Sequence, residues 1–158
     1  MCHHQAHWMK LIFDPDTLNS LVNRIDNLNA SSNPLWGKMS VNQMLAHCSL
    51  TFEYNNGQRQ AKVRPILRFL LRPTMRKTIL SKKPYKKNGP TAPYFKVPNP
   101  ESFELEKTRL ITNLTQYSKN GPPKAEAIEH VWLGHLSAED WSWLMFKHLN
   151  HHLEQFNV

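Results

Sequence analysis

Apolar side chains recur at helical spacing in four stretches of the chain. Leu18, Leu21, Val22, Ile25 and Leu28 make the first stripe, and Asp14-Pro15 precedes it as an N-cap with proline at the first helical position. The second carries Met44, His47, Cys48, Thr51 and Phe52. Ser40 with Gln43 three residues on predicts a capping box at its start, and Asn56-Gly57 marks its end. The third carries Phe103, Leu110, Leu114 and Tyr117, opened by Asn99-Pro100-Glu101 and stopped by Asn120-Gly121-Pro122-Pro123. The fourth starts at Ser137, with Glu139 and Asp140 where the helix dipole favours acids. It continues through Trp141, Leu144, Met145, His148, His152 and Phe156. The pattern predicts one all-α domain over residues 1–158, with its helices packed as a four-helix bundle.

Between the second and third helices lies a long crossover, residues 58–98. Arg64 to Ser81 reads as an extra helix interrupted at Pro73, and Pro84 to Pro98 as an extended loop rich in Pro, Lys and Tyr. Ala127 to Trp132 is the one short strand candidate.

Charge changes the picture only for the crossover. The chain has a formal net charge of +8, yet residues 59–87 hold eleven of its 20 basic side chains, and no acid occurs between Glu53 and Glu101. Arg64, Arg68, Arg72 and Arg76 recur every four residues with Ile66, Leu67, Phe69, Leu70 and Leu71 between them. Such a helix can bind nucleic acid or lie on an anionic membrane. The favoured reading is plainer: a solvated face covering the bundle, with arginine stems packed on apolar surface. No apolar run approaches bilayer-crossing length, and the polar start Met1-Cys2-His3-His4-Gln5-Ala6-His7 has no signal pattern, which favours the cytoplasm. The two cysteines, Cys2 and Cys48, lack metal-finger spacing and read as reduced thiols. Cys48 reads as a small core side chain, because adjacent helical residues diverge and it cannot share the face of His47.

The nine histidines carry the candidate chemistry. Residues four apart lie one above the other on a helix, so His148 and His152 can reach one ion. At about 100° per residue, with His148 as zero, Trp141 falls near 20°, His152 near 40° and Gln155 near −20°. His151 falls near −60°, at the edge of that stripe, as a rim residue. Glu154 does not share the face. His47 is the other histidine well inside a predicted helix, so it is the third candidate ligand. Three imidazoles would leave a coordination position open, as catalytic sites require. A pair of histidines four apart also occurs on exposed helix faces. His3, His4 and His7 read as a solvated tail.

Two stretches carry a family resemblance. One is Trp36-Gly37-Lys38-Met39-Ser40-Val41-Asn42-Gln43-Met44-Leu45-Ala46-His47-Cys48. The other is Gly134-His135-Leu136-Ser137-Ala138-Glu139-Asp140-Trp141, continued by Lys147-His148-Leu149-Asn150-His151-His152-Leu153-Glu154-Gln155-Phe156. Together they resemble the DinB/YfiT-like superfamily of metal-dependent bundle proteins, in an uncharacterised branch. The resemblance implies an up-down-down-up four-helix bundle with a long crossover, and metal ligands at His47, His148 and His152.

Characterised relatives in that superfamily include transferases and isomerases that use low-molecular-weight thiols. The resemblance therefore implies a thiol-dependent S-transferase or isomerase acting on a small molecule, with a metal-dependent hydrolase as the alternative. Zinc, nickel, iron or copper would suit three imidazoles. Arg64, Arg68 or Lys87 would bind the carboxylates of a small thiol, and Tyr94 would close the site or donate a hydrogen bond. A non-enzymatic role for segment 59–87 on nucleic acid or a membrane surface ranks behind these, and a homodimer is compatible with the fold.

Overall fold

The computed structural model describes residues 12–158. Cys2 and the histidines at 3, 4 and 7 lie outside the described residues. Among the described residues there are five α-helices and one short 3-10 turn: α1 Pro15–Asp26, α2 Val41–Asn55, α3 Pro65–Ile79, the turn Pro93–Phe95, α4 Phe103–Glu126 and α5 Ala138–Gln155. The protein is all-α, and no strand occurs among those residues. The strand candidate at Ala127–Trp132 is instead a tight reversal: the amides and carbonyls of His130 and Gly134 pair with each other at 2.9 Å.

Helix starts follow local hydrogen-bond chemistry. The Asp14 carboxylate accepts from the Thr17 amide at 2.9 Å, capping α1. At α2 the reciprocal pair forms in full: the Gln43 amide donates to the Ser40 hydroxyl and the Ser40 amide donates to the Gln43 side chain. Ser137 caps α5 by accepting from the Asp140 amide. The start of α4 differs from the expectation. It opens at Phe103 with Ser102 as its cap position, three residues after Asn99. The Glu106 carboxylate reaches back to the Glu101 amide at 3.1 Å and satisfies a donor there. Gly121 breaks α4 where expected, at φ 72° and ψ −177°, but a last helical turn resumes at Pro122.

Helices α1, α2, α4 and α5 pack on one another, with α2 against α4 as the broadest contact. Met44, Leu45, Phe52, Leu110, Leu114, Tyr117, Trp141 and Met145 fill the space between them. Helix α2 is the central element, buried without a break from Met44 to Glu53. Its buried Glu53 carboxylate takes hydrogen bonds from Arg109 and Asn113 of α4 and from Arg59. Burial alone would raise its pKa, but the two guanidiniums hold it below the usual carboxylate range.

Helix α3 departs from the sequence expectation of an interruption at Pro73. It runs unbroken through Pro73, which lies on the exposed flank where water can take up the carbonyl that proline leaves unpaired. Its flank toward the body is mixed, with Met75 and Ile79 packed against the core. Arg68 bonds Glu129 at 3.4 Å and Arg76 lies 3.8 Å from Asp140, so arginines line the inward flank while Ile66, Phe69 and Leu70 face outward. The end of α3 is fixed by Lys147 of α5. That lysine is only 5% exposed, and its ammonium donates to the carbonyls of Thr78, Ile79 and Ser81 at 3.1, 3.4 and 2.8 Å.

Candidate metal centre

His47 enters the interior from α2, and His148 and His152 enter it from successive turns of α5. Their ring centroids stand 4.7–4.9 Å apart, and one ligand atom from each lies within 4.8 Å of the others. His47 and His152 are buried, and His148 is intermediate in exposure as a residue, with its ring enclosed.

The partners of the outer ring nitrogens fix which nitrogens face inward. His47 Nδ1 lies 2.9 Å from the Phe95 carbonyl, which can only accept, so Nδ1 carries the proton and Nε2 presents its lone pair. Gln155 does the same for His152. Its Nε2 donates to the Trp36 carbonyl at 2.7 Å, which leaves its Oε1 to accept from His152 Nδ1 at 2.9 Å. His47 Nε2 sits 3.0 Å from His148 Nε2, so in the metal-free state His148 donates the proton of that bond.

Electrostatics keep all three rings neutral. Burial drives the pKa of His152 down to about 3, helped by nearby His47. His47 is lowered by burial despite the Phe95 carbonyl. His148 is held well below its ordinary value by enclosure and then by the neighbouring imidazoles. Neutral imidazole is the metal-binding form. Nitrogen donors ~2.0–2.1 Å from a tetrahedral ion stand roughly 3.3 Å apart. The 3.0 Å pair is close to that spacing, and the third donor lies within 4.8 Å of both. The residues fit a divalent ion with three protein ligands.

The other sequence candidates divide into those near the cluster and those apart from it. Gln155 is the buried support just described. His151 is half-buried beside it, 5.3 Å from the His152 ring and between Trp36 and Tyr85 at 5.7 and 5.8 Å. Lys87 lies over the Trp36 ring at 4.1 Å, on the same side. Arg68 is engaged with Glu129, and Arg64 is exposed at the start of α3. Tyr94 accepts a hydrogen bond from the Trp132 indole at 3.1 Å; its neighbour Phe95 reaches the cluster, through its backbone. Glu154 is exposed and accepts from Asn150. Cys48 is buried with its sulfur 3.8 Å from that of Met44, and burial pushes its thiol pKa well up, away from nucleophile chemistry.

Two supports had no sequence signature, because Phe95 and Trp36 act through carbonyls that every residue possesses. The legible signal was Gly37, next to Trp36. It sits at φ +84°, and a Cβ there would lie 2.7 Å from the Gln155 amide nitrogen.

The family described as a protein of unknown function, DUF1569, matches residues 5–158. The chain belongs to that family. No curated protein and no solved structure matches it. In this DUF1569 chain, the matched region spans both α2 and α5, so the two halves of the histidine cluster fall inside one family domain.

Proposed function

We propose that this DUF1569 chain is a divalent-metal-dependent enzyme acting on a small molecule, with thiol-dependent transfer as the leading reaction class. One observation carries the reading: three neutral imidazoles from two helices converge, and the outer hydrogen bonds of two of them aim Nε2 lone pairs at the centre. With three protein donors, a coordination position stays open for substrate. A structural site would close it, and a core already this well filled has little need of a metal staple.

The resemblance to DinB/YfiT-like proteins gives the finer reading. The four mutually packed helices are taken as an up-down-down-up bundle and α3 as part of its crossover. A bound divalent ion would supply Lewis acidity, lowering the pKa of a thiol brought to the open position. The chain's own residues do the rest. Phe95 and Gln155 hold two rings in register. Exposed Lys87, resting on Trp36, is placed to pair with a carboxylate of the incoming molecule.

The test starts with elemental analysis of tag-free protein and of His47→Ala and His152→Ala. A stoichiometric ion in the wild type, lost from both variants, is the expected result. Unchanged metal content in both would remove the centre. Metal-loaded protein is then incubated with small carboxylated thiols and a generic electrophile while thiol is titrated. Metal binding without thiol consumption would keep the centre and reject the transfer chemistry.

A further inference from the structure

Helix α3 is amphipathic in an inverted sense. Its polar flank faces the body, through Arg68 to Glu129 and Arg76 to Asp140, and Met75 and Ile79 pack against the core. Its apolar flank faces solvent: Phe69 is 76% exposed, Ile66 66% and Leu70 63%. At about 100° per residue these three and Pro73 occupy a single arc of roughly 100°. No residue of the helix is buried. An exposed apolar strip of this kind marks an interaction surface.

Charge selects the partner. Lys62 and Arg64 stand before the strip, Lys77 lies within it and Lys83 follows it, all exposed. No acidic side chain occurs between Glu53 and Glu101 to offset them. A second copy docking through the same strip would bring two such basic rims together, which like-charge repulsion opposes. Nucleic acid would meet the lysines but leave phenylalanine, isoleucine and leucine against phosphates. An anionic lipid surface satisfies both features, with headgroups against the lysines and the acyl boundary against the apolar strip.

We propose that α3 is a membrane-contacting element that lays its outward strip on an anionic lipid surface. The helix is held for this from behind. Lys147 ties down its C-terminal carbonyls and the two arginine pairs hold its inner flank. The surface is independent of the histidine cluster, so neither reading needs the other.

The full chain is sedimented with vesicles of phosphatidylcholine alone and of phosphatidylcholine with phosphatidylglycerol, across a salt series. Binding to the anionic vesicles alone, weakening steeply with salt, is expected. Phe69→Ser with Leu70→Ser touches no buried side chain, so the fold should be kept, as circular dichroism checks. That variant should lose more than about tenfold in vesicle binding. Lys77→Gln with Lys83→Gln should lose about fivefold per side chain. The proposal is overturned if wild type ignores anionic vesicles, or if the serine variant binds them unchanged. It is also overturned if the serine changes convert a dimer seen by light scattering to a monomer without altering lipid binding.

Discussion

Replacing Gln155 with leucine isolates the support of the histidine cluster from its ligands. Gln155 is 5% exposed and uses both ends of its amide, donating to the Trp36 carbonyl at 2.7 Å and accepting from His152 Nδ1 at 2.9 Å. Leucine is apolar, one heavy atom shorter, and has neither function. His152 loses the acceptor that fixes its tautomer and ring plane, and partners of this kind typically contribute 10–100-fold in metal affinity. The buried His152 N–H is left without a partner, at about 1–3 kcal/mol before relaxation, and the part-buried Trp36 carbonyl loses its donor as well. Roughly 2–4 °C of melting temperature follows each kcal/mol in a domain of this size.

Competition between the protein and a chromophoric chelator for zinc measures the affinity, and calorimetry of the metal-free protein measures the stability. Both should fall in Gln155→Leu. Gln155→Glu separates the two roles. Its carboxylate still accepts from His152 Nδ1 but cannot donate to the Trp36 carbonyl. Zinc affinity should stay near wild type while the melting temperature drops. If the leucine variant binds zinc within about twofold of wild type, Gln155 does not orient a ligand and the hydrogen-bond reasoning fails.

Three further outcomes are expected. Gly37→Ala places a Cβ 2.7 Å from the Gln155 amide nitrogen at φ +84°, whereas at Gly57, φ +77°, the Cβ meets only the Ile128 methyl at 3.6 Å. Both changes should cost ~1–2 kcal/mol for the left-handed backbone, read by denaturant titration, but only Gly37→Ala should weaken zinc binding. Protons compete with the ion for imidazole nitrogen, and burial lowers the pKa of all three rings, His152 to about 3, so this competition begins at lower pH than for free imidazole. Zinc affinity measured by isothermal titration should therefore fall less between about pH 7.5 and 5.5 than three ordinary imidazoles would give, whereas a loss of about tenfold per imidazole by about pH 5.5 would show that the rings titrate normally. Lys147→Met removes the ammonium that binds the Thr78, Ile79 and Ser81 carbonyls. It should lower stability by about 1.5–3 kcal/mol and speed tryptic cutting within 64–83, and unchanged cutting would mean that lysine does not anchor α3.

The parts legible in the sequence were those with a local cause. Asp14, Ser40 and Ser137 announce helix starts because a cap needs only residues three apart. His148 and His152 share a face because four residues make about one turn. Their convergence with His47 is legible from its place inside another amphipathic helix and from the resemblance that pairs the two stretches. What the sequence hid depends on distant backbone. The carbonyls of Phe95 and Trp36 have no residue signature, and while the Tyr94 hydroxyl pairs with Trp132, it is its neighbour's carbonyl that contacts the cluster. Over α3, charge periodicity alone leaves the orientation open for a related reason. Arginine every fourth residue defines a stripe, but whether that stripe faces water or the body is decided by Glu129 and Asp140, both remote in sequence.

The histidine cluster is a poor solution to the problem of folding alone. Its rings occupy space between α2 and α5 where apolar side chains would pack without hydrogen-bond demands. Two Nε2 atoms at 3.0 Å must share a proton, and the fixed tautomers of His47 and His152 leave two lone pairs directed into the same small volume. Burial penalises protonation of every ring, so none of them can gain an ordinary ion pair there. A cation held by all three nitrogens would remove each of these conflicts at once: His47, His148 and His152 would direct their inward lone pairs to it, with no proton needed between His47 and His148. Places where a fold departs from its most stable packing tend to be the places where it acts. In this chain that departure, at His47 and at His148–His152, falls inside the matched family domain.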